Sequence, residues 1–203
     1  MQVFCFGHSI TQGFWDPGEG WVARLKQELD RRSLEGDEYF EVYNLGVSGD
    51  DSGNLLERFR PEIEARLWEE VGTIVILQVG ANDTIREEGE LWTGPEEFRS
   101  NLRELIDQAK STADRVYVIG EAYTAVEGQI PWTDSDQRMK DERLRSYVEI
   151  QRQVCDSEDV EMIDLRKAVS YGEWEQMLED GLHPDARGHR FIFESLEEAM
   201  DIL

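Results

Sequence analysis

Five short apolar runs recur along the chain, each followed by a stretch with helical periodicity, and few folds accommodate that alternation. The runs are residues 3–6, 40–45, 73–79, 116–119 and 160–164. The third, Thr73-Ile74-Val75-Ile76-Leu77-Gln78-Val79, is β-branched and apolar almost throughout, as a strand covered on both faces must be. Between the runs, apolar residues return at three- and four-residue spacing. One such set is Trp21, Val22, Leu25 and Leu29; another is Leu55, Leu56, Phe59, Ile63 and Leu67; a third is Phe98, Leu102, Leu105, Ile106 and Ala109. That spacing predicts amphipathic helices. The first covers 20–33, and Pro61 should kink the second or begin a new one. Pro95 opens the third. A charged helix is expected over 137–154, a short one over 173–178 and a last one over 186–200.

Strands that alternate with helices from end to end imply a parallel sheet with helices on both faces. The expected fold is therefore α/β, a three-layer α/β/α sandwich with a five-stranded parallel sheet in flavodoxin-like order 2-1-3-4-5. Neither an internal repeat nor a linker interrupts the 203 residues, which are read as one domain, 1–203.

Charge narrows the partners. With 45 Asp and Glu against 21 Lys and Arg, the formal net charge is -24. A phosphate backbone needs a basic footprint, so nucleic acid is not an expected partner, and an anionic membrane surface is disfavoured for the same reason. The acidity is spread along the chain, and the lysines are only Lys26, Lys110, Lys140 and Lys167. Dispersed acidity with scarce lysine fits a salt-loving cytoplasm, where screening removes self-repulsion. No apolar run approaches the roughly 20 residues of a membrane span. The N-terminal residues lack the basic region and long apolar core of a secretion signal, so a cytoplasmic location is expected. Cys5 and Cys155 are far apart, and His8, His183 and His189 lack the spacing of paired metal ligands; neither a disulfide framework nor a metal site is expected. The oligomeric state is not legible.

Four polar segments follow strands or the last short helix: Gly7-His8-Ser9, Gly46, Asn82 and Asp180-Gly181-Leu182-His183. In a parallel sheet the strands point one way, so these segments can meet at one edge. Together they supply what acyl transfer requires, namely a nucleophile, a base, a group that orients the base, and oxyanion donors. Ser9 would attack, His183 would take its proton, and Asp180 would accept from the other imidazole nitrogen. The backbone N–H groups of Ser9 and Gly46 and the Asn82 amide would form the oxyanion hole. Asp83 and His189 read as structural.

At this point the chain resembles the SGNH hydrolases, or GDSL esterase/lipase family, over essentially its whole length. Gly7-His8-Ser9-Ile10-Thr11 is similar to the nucleophile block, Asn44-Leu45-Gly46 to the glycine block, Gly80-Ala81-Asn82-Asp83 to the Gly-x-Asn-Asp block and Asp180-Gly181-Leu182-His183-Pro184 to the Asp-x-x-His block. Each block alone is weak, whereas four in order at expected strand ends are specific. The resemblance implies Ser9, Gly46, Asn82, Asp180 and His183 as site residues, a small-molecule acyl ester as substrate and no cofactor. One position departs: the family usually has Asp where His8 stands. A neutral imidazole can accept one hydrogen bond there, fewer than a carboxylate.

The expected activity is cleavage of carboxylic esters through an acyl-serine intermediate, with a thioester, lysophospholipid or acetylated sugar among the possible substrates. Two alternatives stand beside it, a non-hydrolytic ligand-binding module, motivated by His8, and an acyltransferase. Trp15, Trp92, Tyr123 and Trp132 fall in predicted loops at the sheet edge, where they line either a substrate pocket or a packed lid.

Overall fold

The computed structural model of the chain describes residues 1–36 and 38–200. Its elements follow in order as β1 (Gln2–Gly7), α1 (Ser9–Gln12), α2 (Gly20–Glu35), β2 (Glu41–Gly46), α3 (Ser52–Glu64) and β3 (Thr73–Gln78). Two short strands, β4 (Arg86–Glu87) and β5 (Glu90–Leu91), precede α4 (Pro95–Lys110) and β6 (Arg115–Gly120). Next come β7 (Gly128–Gln129), β8 (Arg138–Met139), α5 (Asp141–Glu158), β9 (Glu161–Asp164), α6 (Leu165–Ala168), α7 (Tyr171–Glu175) and α8 (Ala186–Ala199).

The main sheet is five-stranded in the order β2-β1-β3-β6-β9, and all its pairings are parallel. Counting only its own strands, that is the expected 2-1-3-4-5. Alternation along each strand divides the core. Val3 and Cys5 of β1, with Ile74 and Ile76 of β3, face Trp21, Leu25 and Leu29 of α2 and Ile192 and Leu196 of α8. Phe4, Phe6, Val75 and Leu77 face the other way, onto Leu55 and Phe59 of α3, Leu102 and Leu105 of α4 and Tyr147 and Val154 of α5. Each fully buried Leu or Phe in these layers contributes roughly 1.5–3 kcal/mol, so the sheet is a rigid base for whatever its edge carries.

Three local expectations are corrected. Helix α3 runs through Pro61, so no new helix begins at the proline. The proline lies in the last turn and is exposed, so only one intrahelical bond is lost and the ring meets solvent. Helix α5 begins at Asp141, not at 137, because Arg138 and Met139 are taken by a strand. The loops after β3 and β6 also do more than connect: β5-β4-β8-β7 form a second, four-stranded sheet. Its small core is Ile85, Val126, Ile130 and Met139, joined by Leu182 and flanked by Trp92.

No helix among the described residues is long and apolar enough to cross a membrane. Cys5 and Cys155 are free and buried.

Candidate active site

The parallel register aligns the ends of three neighbouring strands. Gly7 at the end of β1 lies opposite Gly46 of β2 and Gln78 of β3. Ser9, Gly46 and Asn82 therefore leave the sheet at adjacent positions on its C-terminal edge, where ligands bind in such sheets. The two glycines have a packing reason to be glycine. A Cβ on Gly7 would lie 2.6 Å from the Gln78 carbonyl oxygen, and one on Gly46 would lie 2.3 Å from the Gln12 nitrogen. Close approach between strand ends and α1 thus excludes a side chain at both positions.

Ser9 is the first residue of α1 and is buried. Its Oγ lies 2.9 Å from His183 Nε2. On the other side of that ring, Nδ1 meets Asp180 Oδ2 at 2.7 Å. The second carboxylate oxygen, Oδ1, accepts the backbone N–H of Leu182 at 3.0 Å and of His183 at 2.8 Å. Burial pushes the Asp180 carboxyl up, but its bonds to His183 and Leu182 outweigh that and hold it down at about 2. Asp180 is thus a carboxylate at any working pH. A hydroxyl, an imidazole and a carboxylate in this chain of contacts have the geometry of a nucleophile, its base and the group that fixes the base's tautomer.

The oxyanion side is less open than the sequence implies. Asn82 stands in a short 3₁₀ turn after β3, and its Nδ2 donates to the Asp50 carbonyl at 2.8 Å. An amide nitrogen carries two hydrogens, and the second is the donor an oxyanion would use. The Gly46 N–H donates to Asn44 Oδ1 at 3.0 Å, so an incoming oxyanion there must replace an exposed side chain. Asp83 accepts from Ser52 N at 3.1 Å and Ser52 Oγ at 2.5 Å, which anchors the start of α3. Its structural reading fits those contacts.

His8 has a partner that sequence reasoning missed. Its Nε2 lies 2.6 Å from Glu121 Oε1, and both side chains are almost fully buried. In the neutral ring Nδ1 accepts the Ile10 N–H at 3.3 Å, so the imidazole caps α1 where the family has a carboxylate. Burial lowers the His8 pKa; the Glu121 carboxylate, aided by Asp83 and Asp50, more than reverses this and leaves it raised. Glu121 directly follows Gly120 at a strand end, the one signal that could have exposed it. Arg58 was also missed: it pairs with Asp50 at 2.5 Å and donates to the Gly7 carbonyl at 3.0 Å. It thereby ties the loop that receives Asn82 to the turn that carries Ser9.

The four predicted pocket aromatics separate into two pairs. Trp15 and Trp132 are 54% and 48% exposed. The Trp132 ring is 5.4 Å from the His183 ring, and the Trp15 indole N–H donates to Asp180 Oδ2 at 2.6 Å. Phe14, centred 5.0 Å from His183, completes this rim. The other two pack against protein groups, the second of the two readings the sequence left open for them. Trp92 flanks the core of the small sheet and donates to Glu87 at 3.0 Å. Tyr123 donates to the carbonyls of Arg166 and Val169, and its ring lies 4.3 Å from the Arg166 guanidinium. A cleft of about 470 Å³ between α2 and α8 is lined by charged residues including Arg24, Arg31 and Glu194 and by none of the site residues. No cluster of three or more His, Cys, Asp or Glu side chains among the described residues is arranged to hold a metal ion.

A doubly wound α/β sheet with a serine, a histidine and an aspartate in contact at its C-terminal edge defines a class of serine-centred α/β proteins. Within that class the assignment is specific, because residues 5–191 match the model of the GDSL-like lipase/acylhydrolase family. The chain belongs to that family. It is 24% identical over 220 residues to an acetylxylan esterase of Xylanibacter ruminicola, an alignment covering 98% of this chain and 43% of that protein. It is 25% identical over 202 residues to an arylesterase of Vibrio mimicus, covering 98% and 88% of the two chains. The chain thus spans less than half of the first relative and most of the second. Among solved structures, a lipase/acylhydrolase from Enterococcus faecalis superimposes with a TM-score of 0.74 at 24% identity, over 98% of this chain and 94% of that one.

Proposed function

We propose that the chain is a serine hydrolase of carboxylic esters in which 1–203 act as one catalytic unit. The carrying observation is the continuous contact from Ser9 Oγ through His183 to Asp180, at 2.9 and 2.7 Å. In this reading His183 Nε2 takes the Ser9 proton as Oγ attacks the ester carbonyl carbon. Asp180 stabilises the imidazolium that forms. The oxyanion of the tetrahedral intermediate is met by the Ser9 and Gly46 N–H groups and the Asn82 amide. When the intermediate collapses, the C–O bond to the alcohol breaks, His183 gives the alcohol its proton, and an acyl-serine remains. Water, deprotonated by His183, then adds to the acyl carbon; collapse restores Ser9 and releases the carboxylic acid.

The substrate class we favour is a small acyl group on an alcohol that carries a ring. Exposed indoles at Trp15 and Trp132 beside the imidazole offer flat apolar faces to such an alcohol, and relatives are named for acetylxylan and aryl esters. The net charge of -24 disfavours anionic lipid substrates. The same charge, with two free buried thiols, supports a cytoplasmic and salt-rich setting.

Labelling with a fluorophosphonate, followed by turnover of p-nitrophenyl acetate, acetylated xylose and a long-chain ester, tests the proposal. The expected result is a covalent adduct on Ser9 and hydrolysis of the acetyl esters. An unlabelled Ser9 with no turnover would leave a binding module. Product formed only when an alcohol acceptor is supplied would make the protein an acyltransferase.

A further inference from the structure

Asp180 Oδ2 accepts two hydrogen bonds, one from His183 Nδ1 and one from the Trp15 indole, at 2.7 and 2.6 Å. Trp15 is thus the only contact to this carboxylate, among those the described residues show, that comes from outside the Asp180–His183 loop. We propose that Trp15 is a positioning residue for the catalytic carboxylate, fixing Asp180 from the opposite loop by a hydrogen bond as well as walling the site. The proposal rests on the hydrolase reading given above.

The loop that carries the indole is built to hold it. Trp15 has φ of 63°, a left-handed conformation that is strained for a bulky residue and persists only where surroundings impose it. Those surroundings are visible on both sides. The Phe14 carbonyl accepts from the fully buried His189 of α8 at 3.0 Å, and the Phe14 N–H reaches the Ser9 carbonyl at 3.0 Å. One residue beyond the indole, buried Asp16 accepts the N–H of Gly18 at 2.8 Å and of Gly20 at 3.2 Å and pairs with Arg24. The Phe14 ring then packs at 5.0 Å against both Trp15 and His183. A merely exposed tryptophan would need none of this. Strain at one residue, anchored before and after it, aims one N–H at one carboxylate oxygen.

The chemical consequence follows from what the bond does to charge. A donor to Asp180 Oδ2 shares the oxygen that stabilises the His183 imidazolium, so it tempers the pull of that oxygen on the Nδ1–H. It also restricts the carboxylate's rotation, which keeps Oδ2 in line with Nδ1. Removing it should alter the Nδ1–H···Oδ2 bond and leave the ring less well aligned. The ionisable groups around this contact are Asp180 and His183 on the loop before α8, His189 on α8, and the Asp16–Arg24 pair behind the Trp15 loop.

The decisive variant is Trp15→Phe, which keeps an aromatic face and loses the N–H. Because Trp15 is half exposed, the fold should survive, and a thermal melt checks that. The His183 Nδ1–H resonance is followed by NMR in both proteins, alongside kcat and KM for p-nitrophenyl acetate. The expected result is a displaced Nδ1–H resonance, because that proton lies in the bond to Asp180 Oδ2, with kcat lower by roughly tenfold and KM little changed. In an Asp180→Asn background the same substitution should add almost nothing. An unmoved Nδ1–H resonance would overturn the proposal, whether KM rises, as for a plain pocket wall, or nothing changes. If neither protein hydrolyses esters but the resonance still moves, the hydrolase reading fails and the positioning contact stands.

Discussion

Asp180 and His183 are three residues apart, and the chain between them folds back so that one carboxylate binds both the ring and the backbone of the same histidine. Oδ2 meets Nδ1 at 2.7 Å while Oδ1 accepts the His183 N–H at 2.8 Å. A histidine held at two points by one neighbour can present its remaining nitrogen in only one direction, and that direction is Ser9. The small second sheet helps fix the loop, because Leu182, between the two residues, belongs to that sheet's core.

The oxyanion hole is testable at its side-chain donor. Asn82→Ala should lower turnover about 10²–10³-fold, the usual cost of losing one such donor. It should also loosen the 47–51 loop, since the Asn82 bond to the Asp50 carbonyl is lost. Asn82→Asp keeps the shape, loses the donor and should be at least as damaging to turnover. Near-normal rates in both would make Asn82 a loop fastener alone.

The most informative substitution at the nucleophile turn is His8→Asp. From sequence alone it restores the family residue and should preserve or raise activity. The structure reverses that expectation, because Glu121 stands 2.6 Å from His8 in a buried setting. His8→Asp would set two buried carboxylates against each other, and losing one partner of a buried pair costs about 3–5 kcal/mol. A large fall in melting temperature is expected, with recovery in the double variant His8→Asp, Glu121→Gln. A stable, active His8→Asp single variant would show that Glu121 does not depend on the imidazole.

How far the sequence could be read follows from these same residues. Ser9, Gly46, Asn82, Asp180 and His183 were legible because strand ends in a parallel sheet converge, and a strand–turn pattern needs only a few residues to be visible. His8 was visible as an anomaly, but its partner lies 113 residues away, and the only local mark on Glu121 is its place just past a strand end. The small sheet was illegible because its strands are two residues long, too short to carry an alternation. Trp92 and Tyr123 show a related limit. An aromatic in a loop near the site looks the same in sequence whether it faces substrate or a carbonyl such as that of Arg166.

Two buried groups, Asp83 and His8, make contributions to stability that fall as pH rises. Burial raises the Asp83 carboxyl to about 6 from an ordinary 3.8, against the opposing bonds from Ser52. Between those values the folded protein keeps a proton that the unfolded chain has released, so stability drops across that window. The raised His8 acts above it: its contribution is complete below the ordinary 6.5 and is lost as pH climbs through the raised value. Asp180 opposes them between about 2 and 3.8, and His189, whose pKa burial lowers, opposes them below 6.5. The Asp83 part is therefore read by difference: Asp83→Asn should lose the fall in melting temperature that Asp83 contributes between about 3.8 and about 6. An unchanged pH slope in that variant contradicts the Asp83 assignment.

Salt should stabilise the fold. With a net charge of -24 spread over 203 residues, self-repulsion dominates at low ionic strength, and molar salt shortens the screening length to about 3 Å. Melts in dilute buffer and in molar potassium chloride should differ, with the higher melting temperature in salt. A flat or falling response would remove the salt-adapted reading and leave the ester chemistry untouched.

The central claim is that Ser9, His183 and Asp180 act as one unit and that His183, not the adjacent His8, is the base. The most direct measurement is turnover of one activated ester by Ser9→Ala, His183→Ala, their double variant and His8→Ala, each shown by circular dichroism to be folded. Residues that act together are strongly non-additive. Each single variant at Ser9 or His183 should therefore lose nearly all turnover, the double should be scarcely worse than either, and His8→Ala should retain more activity than both. If His8→Ala abolishes turnover while His183→Ala keeps it, the base has been assigned to the wrong histidine and the account fails at its centre.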